Sequence, residues 1–155
     1  MNDIDINNLK NVVRKVLTDI VSESAGSSCC KSDGIKHIDK SGILSIRLPA
    51  IKPEPFDTGK PGDKVLLKDC LTLEESPRLG LGVMEMDHTA FKWTLNYDEV
   101  DYVIDGTLEI LIDGRKVVGN KGDAIMIPKG STIQFSAPDF ARFIYIVYPA
   151  DWANQ

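Results

Sequence analysis

Three oxygen-bearing side chains alternate along one short segment of this sequence and could share a site. Tyr97, Glu99 and Asp101 are spaced two residues apart, and alternate residues of a β-strand face the same side, about 7 Å apart along the strand. If that side is enclosed, two carboxylates are costly to bury without an ion, water or hydrogen-bond donors. We therefore take Tyr97, Glu99 and Asp101 as candidate catalytic residues, and Glu99 and Asp101 as candidate ligands for Mg²⁺.

Phosphoryl transfer to or from such a site also needs positive charge near the phosphates. The nearest basic residues by motif are Lys92, Lys129 and Arg142, of which Lys92 alternates away from Trp93. The segment 59–64, GKPGDK, is not a phosphate-binding loop because it lacks the G-K-[ST] ending. The sequence alone thus gives weak support for a kinase.

Cysteine and histidine offer little further chemistry. The neighbours Cys29 and Cys30, with Cys70, form neither an even disulfide framework nor a CxxC pair. His37 and His88 are isolated and are expected on the surface or in loops. Reduced thiols are therefore expected.

Short strands must position the candidate residues. From Gly42 onward, runs of β-branched and aliphatic residues alternate with Gly, Pro, Asp and Asn, and Asp105-Gly106 and Asp113-Gly114 predict tight hairpins. Many short strands at this spacing indicate an all-β sandwich or barrel. The predicted strands are Ile43–Leu48, Lys64–Leu67, Leu79–Met86, Phe91–Leu95, Glu99–Ile104, Thr107–Ile112, Lys116–Val118, Ala124–Ile127, Thr132–Ser136 and Ala141–Tyr148.

The N-terminal region has a different pattern. Apolar residues recur at spacings of three and four between Asp3 and Ser22, which predicts an amphipathic helix within residues 1–21. Residues 22–41 read as a flexible linker and residues 42–155 as the barrel. The apolar stripe must dock on the barrel, on a second copy, or on a different protein as a short helical address tag.

Composition limits the partners. The chain has 155 residues and a net charge of −5, with no segregated basic face, so nucleic acid is not expected. No run of about 18 apolar residues and no secretory signal are evident, so neither membrane nor export is expected. A cytoplasmic protein with one globular domain is the expectation.

Two segments resemble the motifs of the cupin superfamily. The first is Glu99 to Gly106 followed by Asp113-Gly114, and the second is the G-D-x-x-x-x-P-x-G hairpin at Gly122 to Gly130. The resemblance implies a cupin-type antiparallel β-barrel (jelly roll) with Glu99 facing its interior. Metal-binding cupins carry three histidines at positions that correspond here to Trp93, Leu95 and Ile133. The histidine-type metal site is therefore absent, and no transition metal is expected.

A more specific resemblance covers roughly the last 75 residues. The string W-T-L-N-Y-D-E at Trp93–Glu99, the turn 127–133 and the tail 142–152 resemble the EutQ family of ethanolamine-utilisation proteins. That family implies acetate kinase activity, converting ATP and acetate to ADP and acetyl phosphate, with ATP and Mg²⁺ as cofactors. The alternative is a non-catalytic, metal-free cupin that serves as a binding or assembly component.

The same resemblance implies a place in a bacterial microcompartment. Residues 3–21 resemble the targeting peptides of such compartments, so shell or cargo proteins are the expected partners. Cupin barrels of this size commonly pair through edge strands, and a homodimer through Ile43–Leu48 or an adjacent segment is expected.

Overall fold

The computed structural model describes residues 31–32 and 34–155, and they form ten strands. The predicted helix of residues 1–21 and half of the predicted linker, residues 22–30 and 33, lie outside the described residues, as do Cys29 and Cys30. None of the described residues forms a helix long and apolar enough to span a membrane. The strands are β1 (Lys31–Ser32), β2 (Lys36–Ile38), β3 (Leu44–Ile46), β4 (Glu54–Pro55), β5 (Val65–Asp69), β6 (Gly80–Thr94), β7 (Asp98–Ile112), β8 (Arg115–Asn120), β9 (Ala124–Ile127) and β10 (Thr132–Tyr148).

The chain divides into two compact units at Ile46. In the first unit, β1, β2 and β3 form a small antiparallel sheet in that order. The second unit, residues 47–155, contains the remaining strands and the candidate site.

Seven antiparallel strands build the second unit. They are ordered β4-β5-β6-β10-β7-β8, and β9 pairs with the first part of β7. Alternate residues of the long strands face one common core, which includes Met86, Leu95, Leu108 and Phe143 at full burial. This period of two is what converts the sequence pattern into an inner and an outer face, and it confirms the all-β barrel prediction.

Three strands are longer than their sequence patterns suggested. Six predicted strands merge pairwise into three. Strand β6 combines the predicted Leu79–Met86 and Phe91–Leu95, β7 combines Glu99–Ile104 and Thr107–Ile112, and β10 combines Thr132–Ser136 and Ala141–Tyr148. Each merged strand continues through an irregularity instead of ending. Strand β6 has His88 at a φ of 46°, the pairing of β7 shifts between residues 103 and 105, and that of β10 shifts between residues 136 and 141.

The hairpin predicted at Asp105-Gly106 was wrong, because these residues lie inside β7. Gly106 has a φ of 75°, and a Cβ atom there would meet the carbonyl oxygen of Phe140 at 2.0 Å. A glycine with positive φ serves a bulge as well as a turn, and the close approach of β10 decides for the bulge. Asp113-Gly114 does form the predicted hairpin, with φ values of 49° and 73°.

Candidate functional site

A narrow cavity of about 20 Å³ lies inside the barrel of the second unit. This volume has room for about one water molecule and is far below the roughly 300–1,000 Å³ typical of small-molecule sites. Its walls are mostly aromatic, and Glu99 is their one carboxylate among the described residues. The lining residues are Phe56, Leu67, Met84, Phe91, Trp93, Tyr97, Glu99, Phe135, Tyr145, Val147 and Trp152.

Strand β7 carries both candidate carboxylates to the inner face of the sheet. Glu99 pairs with Val147 of β10 and Ile127 of β9, and Asp101 pairs with Tyr145 and Ile125 of the same two strands. Because β7 has neighbours on both sides here, its inward side chains are enclosed. Glu99 is 5% exposed and Asp101 is fully buried, one alternate position beyond the cavity lining.

Tyr97 lies just before β7 and links the carboxylates to the cavity wall. Its hydroxyl accepts a hydrogen bond of 2.8 Å from the indole Nε1 of Trp93. The hydroxyl proton is then available to the carboxylate of Glu99, with which it hydrogen bonds. Burial, followed by the negative charge of Glu99, raises the pKa of Tyr97, so the phenol stays protonated as a donor.

Asp101 is the most unusual group in the barrel. Neither of its carboxyl oxygens has a hydrogen-bond donor from the described residues, although both are fully buried. Ionised carboxylates only accept hydrogen bonds, so Asp101 and Glu99 can bond to each other only when one of them holds a proton. The side chains of this pair therefore share a proton unless a cation replaces it.

The electrostatics of the pair agree with this picture. Burial raises the pKa of Glu99 to about 7. Burial, reinforced by the charge of Glu99, raises the pKa of Asp101 as well. Raised pKa values on both groups favour a protonated pair, and Glu99 itself titrates near neutral pH.

The three positions that carry histidine in metal-binding cupins hold apolar side chains here. Trp93 is half-buried in the cavity wall, while Leu95 and Ile133 belong to the core. His37 and His88 are both exposed. Within residues 31–32 and 34–155, no group of three or more His, Cys, Asp or Glu side chains gathers in a way that could hold a metal ion.

The basic residues suggested by the sequence do not reach the cavity. Lys92 and Lys129 are exposed. Arg142 lies on the outer face of β10, where its guanidinium pairs with Glu85 and donates to the carbonyl oxygens of Leu48 and Ile51 at 3.1 and 3.0 Å. We conclude that Arg142 fixes a loop to the sheet and does not contact the candidate site.

Several site residues were missed by the sequence reasoning. Tyr145 on β10 lines the cavity, and its hydroxyl donates a hydrogen bond of 2.6 Å to the carboxylate of Asp69 on β5. Trp152, in a 3-10 turn at 152–154, packs edge-on against Tyr97 and Tyr145 and lies 3.3 Å from Asp69 through its Nε1. Tyr145 and Trp152 are far in the chain from Asp69 and Tyr97, and no local pattern predicts these contacts.

Comparison with known proteins places the chain in a family. A family model described as "Ethanolamine utilisation protein EutQ" matches residues 4–154. The chain belongs to the EutQ family. The protein named "Acetate kinase EutQ" from Clostridioides difficile (strain 630) is 56% identical over 156 residues, covering 98% of this chain and 99% of that relative.

Solved structures agree with the family and the fold. The structure of the Clostridium difficile EutQ protein has a TM-score of 0.77 at 62% identity, covering 81% of this chain and 93% of that one. The cupin domain of Schizosaccharomyces pombe Cnp3 is only 14% identical, yet it superposes with a TM-score of 0.55 over 71% of this chain and 77% of its own length. This EutQ chain therefore has the cupin fold expected from its motifs.

Proposed function

We propose that this EutQ protein is an acetate kinase that forms acetyl phosphate and ADP from acetate and ATP. One observation carries the proposal: the buried Glu99 lines an aromatic cavity, with the fully buried Asp101 behind it, in a chain 56% identical, over nearly its whole length, to a relative named for that activity. The aromatic walls supply an apolar surrounding, and the pair supplies hard oxygen atoms.

The residues present fit Mg²⁺ better than a transition metal. Carboxylate oxygens are preferred Mg²⁺ ligands, and this ion is commonly held by one or two carboxylates, with water and substrate phosphates completing its shell. The unpartnered oxygens of Asp101 behind Glu99 provide such a donor set. Glu99 and Asp101 would hold the ion in place of their shared proton, and the bound ion would neutralise charge on the transferring phosphoryl group.

The remaining steps of the reaction need few catalytic groups from the protein. Acetate is ionised at neutral pH, so no general base is needed. One acetate oxygen forms the new bond to the γ-phosphorus, and the bond from that phosphorus to the bridging oxygen breaks to release ADP. The aromatic walls exclude water and pack against the methyl group, while Tyr97 donates a hydrogen bond at the floor. Positioning and charge are thus the contributions of this chain.

The experiment is ADP formation by the purified full chain with ATP, acetate and MgCl₂. Glu99→Gln removes a carboxylate while keeping the shape of the side chain, and we expect at least a hundredfold loss of rate. Asp105→Asn, an exposed acid on the same strand, is the matched control and should leave the rate unchanged. Equal activity in the wild type and Glu99→Gln would exclude this site.

A second candidate function is a non-catalytic cupin that binds a small molecule or assists assembly. It is favoured by the walls of the cavity, where no described lining residue is Lys, Arg or His. The complete absence of ADP formation by the folded wild type, with Mg²⁺ present, would decide for this alternative.

We also propose that the protein works in a bacterial microcompartment, as a homodimer, with residues 3–21 as its targeting segment. The support is the apolar stripe in the sequence and the ethanolamine-utilisation family. Deletion of residues 1–21 should leave the barrel folded and abolish co-purification with shells, and light scattering should give twice the monomer mass. Encapsulation of the truncated chain would contradict the targeting role.

A further inference from the structure

A wider, open cleft adjoins the narrow cavity of Glu99. Phe56, Trp93, Tyr97 and Trp152 line both spaces. The cleft has a volume of about 410 Å³, which lies within the range of roughly 300–1,000 Å³ typical of small-molecule sites. A small molecule therefore has room in the cleft, although it has none in the narrow cavity.

The two tryptophans that line the cleft are held in fixed orientations. The indole Nε1 of Trp93 donates to the hydroxyl of Tyr97 at 2.8 Å, and that of Trp152 lies 3.3 Å from a carboxylate oxygen of Asp69. The indoles pack against each other at 62°, with centroids 6.5 Å apart. Both side chains are only partly buried, so part of each ring surface remains open. Rings that are oriented before binding lose little freedom when a planar ligand stacks on them.

Two exposed polar side chains of the cleft can select what stacks there. The amide nitrogen of Asn96 donates to the backbone oxygen of Gln155 at 3.2 Å, and this bond leaves one N–H and the carbonyl oxygen of the amide for a ligand. An asparagine amide pairs with the amino group and a ring nitrogen of adenine. One carboxylate oxygen of Asp57 accepts from the backbone N–H of Gly59 at 2.8 Å, and the other can accept from ribose hydroxyls.

We propose that this cleft binds the adenosine part of ATP, with the base against the indoles of Trp93 and Trp152. Asn96 is then the hydrogen-bond partner of the base, and Asp57 that of the ribose. The choice of adenine rests on the proposed acetate kinase function. Tyr97 lines the cleft and is hydrogen bonded to Glu99, so a nucleoside bound there lies next to the carboxylate pair.

The charge of the cleft restricts which part of the nucleotide it recognises. No described residue that lines it is Lys, Arg or His, so the phosphates of a bound nucleotide gain no ion pair within it. We therefore expect adenosine and ADP to bind with similar affinity when Mg²⁺ is absent.

The test is quenching of tryptophan fluorescence in the full chain, titrated with adenosine and with ADP in the absence of Mg²⁺. The chain has two tryptophans and both line the cleft, so the signal reports on this site. Adenosine should quench the emission. Ribose, measured by displacement of adenosine, should bind weaker by about tenfold or more because it has no base to stack on the indoles.

Asn96→Ala should weaken adenosine binding by about tenfold. Asn120→Ala is the matched control, because Asn120 is an exposed asparagine on β8 that does not line the cleft, and it should leave the affinity unchanged. Asn96 is exposed as well, so its replacement should not prevent folding. The comparison of adenosine with ribose is made on the wild type and does not depend on either variant.

Three results would overturn the proposal: no binding of adenosine, equal affinity for adenosine and ribose, or unchanged adenosine binding in Asn96→Ala. Adenosine binding by a wild type that forms no ADP would support the cleft and refute the kinase. ADP formation by a wild type that does not bind adenosine would refute the cleft and leave the kinase in place. The two proposals therefore fail separately.

Discussion

Replacing the acid pair by its amides, Glu99→Gln with Asp101→Asn, is expected to raise the free energy of unfolding at pH 8 by on the order of 3 kcal/mol. The amides keep the size of both side chains and can donate as well as accept hydrogen bonds. They remove the cost of ionising a carboxyl that is 5% exposed beside one that is fully buried. A site that lowers the stability of the folded protein in this way is typical of a functional site.

The sign follows from the direction of the pKa changes. The pKa of Glu99 is 4.5 without its surroundings and about 7 in the folded protein, so between these values the folded state binds more protons than the unfolded state. The contribution of Glu99 to the free energy of unfolding is therefore largest below about pH 4.5. It decreases by about 1.4 kcal/mol per pH unit as the pH rises to about 7. The raised pKa of Asp101 acts in the same direction.

Other acids act outside this window. Hydrogen bonds lower the pKa values of Asp39, Asp63 and Asp87 below 3.8, so their contribution is lost only as the pH falls further. Urea unfolding at pH 5, 6, 7 and 8 gives the required free energies. The wild type should lose stability across the series and the double amide variant should be nearly flat, while Asp105→Asn should follow the wild type. Parallel curves for the wild type and the double variant would contradict the expectation.

Gly82→Ala is the second substitution for which we expect a large effect. A Cβ atom at residue 82 would lie 2.0 Å from the hydroxyl oxygen of Tyr145 and 2.1 Å from its Cζ. The ring would have to leave its place in the cavity wall and give up its hydrogen bond to Asp69. Overpacking with loss of a buried hydrogen bond costs about 3 kcal/mol, or a fall in Tm of about 6–12 °C for a domain of this size.

A double-mutant cycle separates this clash from a general effect of alanine in a strand. In a Tyr145→Val background the space opposite residue 82 is open, and Gly82→Ala should then cost less than about 1 kcal/mol. Tyr145→Phe keeps the ring and removes only the hydrogen bond to Asp69, so it should account for the smaller part of the loss. If Gly82→Ala costs the same in both the wild-type and Tyr145→Val backgrounds, the ring contact is not its cause.

The inward alternation of Tyr97, Glu99 and Asp101 could be predicted from the sequence because side chains along a strand repeat with a period of two residues. The merging of the predicted strands into β6, β7 and β10 could not be predicted from the sequence. Asp105-Gly106 carries the composition of a hairpin, but the carbonyl of Phe140, over thirty residues away, leaves room for a bulge only. The residue types at a turn indicate a positive φ, but whether the chain forms a turn or a bulge depends on the neighbouring strand.

The walls of the cavity show the same limit. Trp93 lies within the recognisable motif, whereas Phe56 lies far before it in the chain and Tyr145 and Trp152 lie near the C-terminus. Tyr145 follows the alternation of β10, which predicts an inward residue but not its contact with Asp69. The one local trace of that contact is Gly82, whose missing side chain leaves room for the phenol.

The central claim is that Glu99 and Asp101 form an enclosed pair that holds one proton near neutral pH. Carbon-13 NMR of the side-chain carboxyl groups, followed from pH 3 to pH 9 and assigned with Glu99→Gln and Asp101→Asn, measures this directly. The expected result is a midpoint near 7 for Glu99 and a raised one for Asp101. Midpoints at the ordinary values of 4.5 and 3.8 would show two independent, solvated carboxylates and contradict the account.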